Sequence, residues 1–412
     1  MTAVQCHPDY IFLAWQFPGS YRDQIATLGC GRVFNKQDIS MKFKAITLAF
    51  LAAATPAAIP AAAEDALLSE TLEFTAEIFY LDTAVPGLII GAVRNGETAV
   101  FGIGETRKGS GVAPDGDTAV GVGSITKSFT GLTLANLAAE GTVALTDPAA
   151  PLIDLVETLP ERDGHRIRLV DLATHASGLP RELEQVPDVE KYSDASFRAN
   201  LKDAGLLFAP GTGLLYSNIG FDLLAMALSG AADQPYEALL KEKVLDPIGL
   251  NATGYARPAS GTVMTGYDWN GKEMDPGAPI PNRSGASQLY TTANDMLRYL
   301  EWNLDRFGSE GMEARAISHA VWAMRDGMDP VYGLDESGHM SAMGLGWVIM
   351  MPEGDRPLII QKAGGSHGVF SYLAFAPSRG VGIFMSISQF NFSASMEMAN
   401  VVNDLIAVLA PR

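Results

Sequence analysis

Three groups of residues carry chemistry. In Gly123-Ser124-Ile125-Thr126-Lys127 the serine and lysine stand three positions apart, so on a helix the amine reaches the hydroxyl. Ser124 opens a predicted helix, Ser124 to Glu140, that Gly141 closes with a residue suited to a left-handed cap. Free N–H groups and the helix dipole at that end favour a developing oxyanion. A neutral Lys127 can take the serine proton. Its ordinary pKa is about 10.4, so half-neutrality at pH 7 needs roughly 4.6 kcal/mol of environment, which a dry site with a second cation supplies. Alone, the pair also reads as an N-cap serine with a solvated lysine.

Tyr216-Ser217-Asn218 is the second group, with Pro210-Gly211 ahead of it as a tight loop feeding the next helix. A phenol near Lys127 can relay a proton to a leaving group, and the Asn218 amide can hold both the lysine and a substrate carbonyl. Lys362-Ala363-Gly364 is the third, at the end of a predicted strand. A strand edge gives backbone hydrogen bonds to an extended substrate, Lys362 adds positive charge, and Gly364 permits close backbone approach. Separately these read as a buried loop tyrosine and a solvated lysine. The chain holds one S-x-x-K, one Y-x-N and one K-x-G, in that order, and their joint occurrence is the signal.

The elements that must position them follow from periodicity. Residues 65 to 82 read as an amphipathic helix, and Leu88 to Val93 and Thr98 to Ile103 as strands around the hairpin turn Asn95-Gly96. From about 150 to 335 helices are joined by Gly/Pro-rich loops, with Phe221 to Leu228 and Tyr236 to Val244 as helical segments. Leu345 to Met351, Leu358 to Lys362, Ser371 to Ala376 and Val381 to Ser388 read as successive strands, and Met396 to Leu409 as a closing helix. The order predicts an α+β fold: one antiparallel sheet built from both chain ends, with an inserted, mainly helical lobe.

The N-terminus carries a separate message. Met41-Lys42-Phe43-Lys44, the apolar run Ala45 to Ala54 and Ala61-Ala62-Ala63 form a secretory signal peptide with a small-residue cleavage site, interrupted by Pro56 and Pro60. Such a segment belongs at a start, so Met41 is expected to be the true start, with residues 1–40 an over-extended reading. The domain reading is therefore a signal peptide over 41–63 and a catalytic domain over 64–412. Within that domain an α/β lobe takes about 65–150 and 340–412, and a helical lobe about 150–340. Both cysteines, Cys6 and Cys30, precede Met41, which leaves the exported chain without thiol chemistry or disulfides. A net charge of -18 argues against nucleic acid, which demands clustered Lys and Arg.

The three motifs identify a resemblance to the serine β-lactamase/penicillin-binding protein family. The leading tyrosine of the second motif points to its class C-like branch. Gly104-Glu105-Thr106-Arg107, Leu172 to Glu182, Tyr216 to Leu228, Gly344 to Met350 and Ile359 to Phe375 extend it over nearly all of the chain after the signal peptide. Together they resemble the AmpH-type D-alanyl-D-alanine carboxypeptidase/endopeptidases of the periplasm. The resemblance implies an active site between the two lobes, no cofactor and no metal, and peptidoglycan peptides and β-lactams as partners. It is compatible with peripheral membrane or cell-wall association and leaves the oligomeric state open. It implies Ser124 as acylated nucleophile, Lys127 as assisting base, Tyr216 as proton relay and Lys362 as its support. Asn218 would contact the substrate amide, and the N–H groups of Ser124 and Gly365 would form the oxyanion hole. Position 363 is Ala where the family usually has a hydroxyl for the substrate carboxylate; Ser366 or His367 could stand in.

The family's activities compete on one acyl-enzyme: DD-peptidase, β-lactamase, small-ester hydrolase, or a penicillin-binding module that acylates and stalls. Gly364-Gly365-Ser366-His367-Gly368 also matches the G-x-S-x-G elbow, which needs a following helix, whereas Val369 to Ala376 reads as a strand. His175 reads as structural, and the scattered histidines show no metal-ligand spacing.

Overall fold

Helix α1 (Ala61–Thr83) leads into the hairpin β1 (Gly87–Arg94) and β2 (Glu97–Gly104). Its turn, Asn95-Gly96, has φ of +52° and +87°, the doubly left-handed geometry of a type I′ hairpin. The structure, a computed structural model, describes residues 61–155, 157–202, 205–258, 262–334 and 337–410. The expected extension 1–40 and the signal segment up to residue 60 lie outside the described residues.

After the hairpin come β3 (Val120–Gly121), a 3₁₀ turn (Gly123–Ile125) and α2 (Thr126–Ala139). Then follow α3 (Leu169–Ala173), α4 (Asp194–Lys202), β4 (Leu214–Leu215), α5 (Asn218–Ala232), α6 (Tyr236–Leu240) and α7 (Asp246–Ile248). The chain continues through β5 (Tyr290–Thr291), α8 (Ala293–Leu304), α9 (Met312–His319), β6 (Ala323–Met324) and β7 (Val331–Tyr332). It ends with β8 (Ala342–Met343), β9 (Val348–Met350), β10 (Ile359–Ser366), β11 (Val369–Ala376), β12 (Val381–Ile387) and α10 (Phe392–Leu409).

Eight strands form one antiparallel sheet in the order β2-β1-β12-β11-β10-β9-β8-β6. The two chain ends meet where Ile90 faces Met385 across β1 and β12. Side chains alternate between two cores, as the strand period of two requires. Leu88 and Ile90, Ile383 and Met385, and Tyr372 and Ala374 face Leu72 and Phe79 of α1 and Met398 and Val402 of α10. Ile89, Val93, Phe384, Leu373 and Phe375 face the other core, with Phe129 of α2 and Leu297 and Leu300 of α8. Both faces are covered, so the central strands read as continuous apolar runs rather than alternating ones.

The α+β architecture with a sheet from both chain ends is the one the sequence predicts. Some extents differ. The 345–351 strand shortens to β9, because Gly344 to Trp347 turns over α2 with Gly346 donating its N–H to the Ala173 carbonyl. β10 runs four residues past Lys362, since Ala363 to Ser366 keep pairing with β11. The span 150–340 is not uniformly helical-lobe: α8 packs across β1 and β12, and β6 is the sheet's far edge. Among the described residues no helix is long and apolar enough to cross a membrane.

Candidate active site

Ser124 sits inside the 3₁₀ turn that precedes α2, two residues before the first helical residue, Thr126, rather than opening the helix itself. Two short pairings aim this turn. β3 pairs antiparallel with β5, and Val122 donates to the Leu289 carbonyl at 2.9 Å. Behind the turn lies β10. Gly123 has φ of +50°, and a Cβ there would meet the Gly365 carbonyl oxygen at 2.2 Å. A Cβ on Gly364 would meet the Val122 carbonyl oxygen at 2.0 Å and the Ser124 nitrogen at 2.8 Å. Two backbones therefore touch directly, an approach only glycine allows.

Tyr216 and Asn218 flank an N-cap. Ser217 Oγ accepts from the Gly220 N–H at 3.0 Å and donates to the Pro180 carbonyl, which starts α5 at Asn218. Tyr216 is held from the other side by parallel pairing of β4 with β7, its N–H reaching the Tyr332 carbonyl at 3.3 Å. His175 stacks on the Tyr216 ring at 4.5 Å, and its Nδ1 accepts from the Ser217 N–H at 3.0 Å. Burial, with the charges of Lys127, Lys362 and Arg181, keeps His175 well below its ordinary pKa, so it is a neutral acceptor behind the tyrosine.

The three motifs meet at Ser124 Oγ. The Tyr216 hydroxyl lies 2.7 Å from it and Lys127 Nζ 3.1 Å. Lys127 has 0% exposure, and its Nζ also contacts Asn218 Oδ1 at 2.6 Å and the Ala286 carbonyl at 2.8 Å. Burial first, then the charges of Lys362, Arg283 and Arg181, hold Lys127 well below the usual lysine range, with Asp222 opposing them. The dry site and second cation that the sequence asks for are thus present, with two arginines besides. A neutral amine spends its two N–H bonds on Asn218 and Ala286 and leaves its lone pair for the Ser124 hydroxyl proton; an ammonium fills all three places as a donor.

Lys362 is not a strand-terminal lysine in solvent. It is 5% exposed, in mid-strand, with Nζ 5.2 Å from the centre of the Tyr216 ring and donating to the Ala363 carbonyl at 3.2 Å. Lys127 Nζ and the Arg181 guanidinium lie 5.0 and 4.4 Å from the same ring centre. Three basic side chains thus surround one phenol. Ala363 points to the opposite face, into the core with Tyr372 and α10. Gly365, next along β10, lies against the Ser124 turn. Ser366 Oγ sits 3.2 Å from His367 Nδ1, and both line a cavity of about 350 Å³ with Gly121, Arg257, Met274 and Tyr290. β10 turns directly into β11 after Ser366, so the G-x-S-x-G elbow has no helix to follow it.

The family model Beta-lactamase matches residues 64–407. The chain belongs to this family. Over 380 residues it is 31% identical to the D-alanyl-D-alanine-carboxypeptidase/endopeptidase AmpH of Escherichia coli K12, covering 90% of this chain and 97% of that one. A β-lactamase of Pseudomonas fluorescens is 27% identical over 342 residues, 77% of this chain and 92% of the relative. A solved β-lactamase/D-alanine carboxypeptidase from Yersinia pestis, complexed with citrate, superposes with a TM-score of 0.74 at 28% identity, over 85% and 99% of the two chains. A class C β-lactamase at 19% identity shares the fold with a TM-score of 0.71. The protein is a serine hydrolase of this fold.

Four site-forming residues escaped the motif reading. Glu182 accepts from the Asn218 amide nitrogen, from the Tyr192 hydroxyl at 2.9 Å and from Arg283 at 2.9 Å. Asp222, fully buried on α5, accepts from the Ala286 N–H at 3.0 Å and from Arg283 at 3.3 Å. Asp222 had a sequence signal: a carboxylate inside an apolar helical run must find partners. Arg181 and Glu182 end the stretch Leu172 to Glu182; Arg283 had no local signal at all.

Proposed function

We propose that the protein is an exported serine DD-peptidase, acting on peptidoglycan peptides through an acyl-enzyme on Ser124 and acylated there by β-lactams. The observation that carries this reading is Ser124 Oγ held 2.7 Å from a phenol and 3.1 Å from a lysine amine with no solvent exposure. In this reading Ser124 attacks the scissile carbonyl while its proton passes to Lys127 or Tyr216 as base. The Ser124 and Gly365 N–H groups receive the oxyanion. Tyr216, supported by Lys362, protonates the leaving amine as the C–N bond breaks, and later deprotonates the water that releases the acyl group. Asn218 holds the substrate amide, and Gly364 and Ser366 border the strand edge along which the substrate lies. The name of the Escherichia coli relative favours carboxypeptidase and endopeptidase action.

The Pseudomonas relative's name favours a second reading, β-lactamase turnover on the same acyl-enzyme. Fluorescent penicillin paired with muropeptide digestion separates them. Covalent label on Ser124, lost in Ser124→Ala, with release of D-Ala or of cross-links, supports the peptidase. Fast nitrocefin turnover without action on muropeptides moves the assignment to β-lactamase, and stable label without turnover of either to a binding module. Export follows from the signal segment 41–63, which places the catalytic domain, from Glu64, in the periplasm. Finding residues 1–40 intact at the N-terminus of the exported protein overturns that part.

A further inference from the structure

The acceptors of Lys127 are themselves held by charges. Asn218 turns its Oδ1 to Lys127 because its amide nitrogen is claimed by Glu182. Ala286 turns its carbonyl to Lys127 while its N–H is claimed by Asp222 Oδ1. Arg283 NH1 joins the two carboxylates, 2.9 Å from Glu182 and 3.3 Å from Asp222. The contacts close a ring: Lys127, Asn218, Glu182, Arg283, Asp222, Ala286 and back to Lys127. Arg283 and Asp222 are 11% and 0% exposed at their side chains, so water screens neither.

We infer that Arg283 and Asp222 are positioning residues of opposite electrostatic sign, which together fix where Lys127 points and at what pH it becomes a base. The inference rests on the proposed role of Lys127 at Ser124. Other charged or titratable groups facing Lys127 are Lys362 on β10, Arg181 and His175 on the loops around α3, Tyr216 before α5, and Glu182 through Asn218. Of these, Lys362 and Arg181 push in the same direction as Arg283, and Asp222 opposes them. Burial raises Asp222 to about 7, while the Arg283 and Lys127 charges and the Ala286 N–H favour its charged form.

The signs make a test that structural damage cannot imitate. Acylation needs the free base of Lys127, so its rate rises with pH through the lysine's pKa. Removing the Arg283 charge raises that pKa; removing the Asp222 charge lowers it. The second-order rate of acylation by a fluorescent penicillin is measured from pH 4 to 9 for wild type, Arg283→Met, Arg283→Lys, Asp222→Asn and the double variant. The acid limb is expected to move up by about one pH unit in Arg283→Met and down by a similar amount in Asp222→Asn, the low end of what a neighbouring charge does. It stays in place in Arg283→Lys and returns towards wild type in the double variant. Limbs that stay fixed, or move in the same direction, overturn the inference. If Arg283→Met does not fold, Asp222→Asn against Arg283→Lys decides it by the same criterion. If Ser124→Ala and Lys127→Ala acylate normally, the reading of the site fails instead, and the limb positions lose their meaning for it.

Discussion

A single methyl group at position 364 probes the contact between β10 and the Ser124 turn. Gly364 has no left-handed φ, so Gly364→Ala changes only space. Its Cβ would lie 2.0 Å from the Val122 carbonyl oxygen and 2.8 Å from the Ser124 and Ile125 nitrogens. Contacts of real Cβ atoms essentially never fall under 3.0 Å, so the two backbones must part by about 1 Å. None of the three clashing atoms is on a side chain that can swing away. Overpacking of this kind costs about 1–3 kcal/mol of stability. The larger effect is on rate: a 1 Å misplacement of a reacting group costs about 10²-fold, and here it separates the Ser124 and Gly365 N–H groups. The assay is the second-order acylation rate with a fluorescent penicillin, with thermal unfolding measured in parallel. Gly327→Ala is the control, because a Cβ there meets nothing within 4 Å. The expected result is about 10²-fold slower labelling with a melting point a few degrees lower, and no change in the control. Wild-type labelling and an unchanged melting point in Gly364→Ala would refute the argument that this backbone contact sets the geometry at Ser124.

Other outcomes follow from the same geometry. Tyr216→Phe removes the hydroxyl 2.7 Å from Ser124 Oγ and should slow acylation and release by about 10²–10⁴-fold, read by stopped-flow labelling and chase, with stability nearly unchanged. His175→Ala strips the Tyr216 ring of its stacked neighbour and leaves the Ser217 N–H without its acceptor; a loss of about 1–3 kcal/mol should appear in denaturant melts. Lys127 is held below its unfolded pKa, so between the two values the unfolded chain binds more protons than the folded one. Wild-type stability should therefore gain on that of Lys127→Met as pH rises towards about 10.4, by at most ~1.4 kcal/mol per pH unit, in paired denaturant titrations; a difference that is flat or falls with pH contradicts a depressed lysine.

What was legible in the sequence was local. Ser124 and Lys127 meet because three residues make nearly one helical turn. Tyr216 and Asn218 flank Ser217 because a serine caps the helix behind it, and Asn95-Gly96 turns a hairpin because both residues accept left-handed backbone. The order of hairpin, helices and closing strands predicts one sheet from both chain ends, and its central strands are apolar throughout because they are buried on two faces. The tertiary structure decided the rest. Nothing local pairs Arg283 with Asp222, 61 positions away, or with Glu182, 101 positions away. Nor does any spacing say that Lys362 is buried while Ala363, beside it, faces the opposite core. Periodicity specifies which face of an element is apolar, but the charge around Lys127 depends on which loops fold over it, and that is set only when the whole chain has packed.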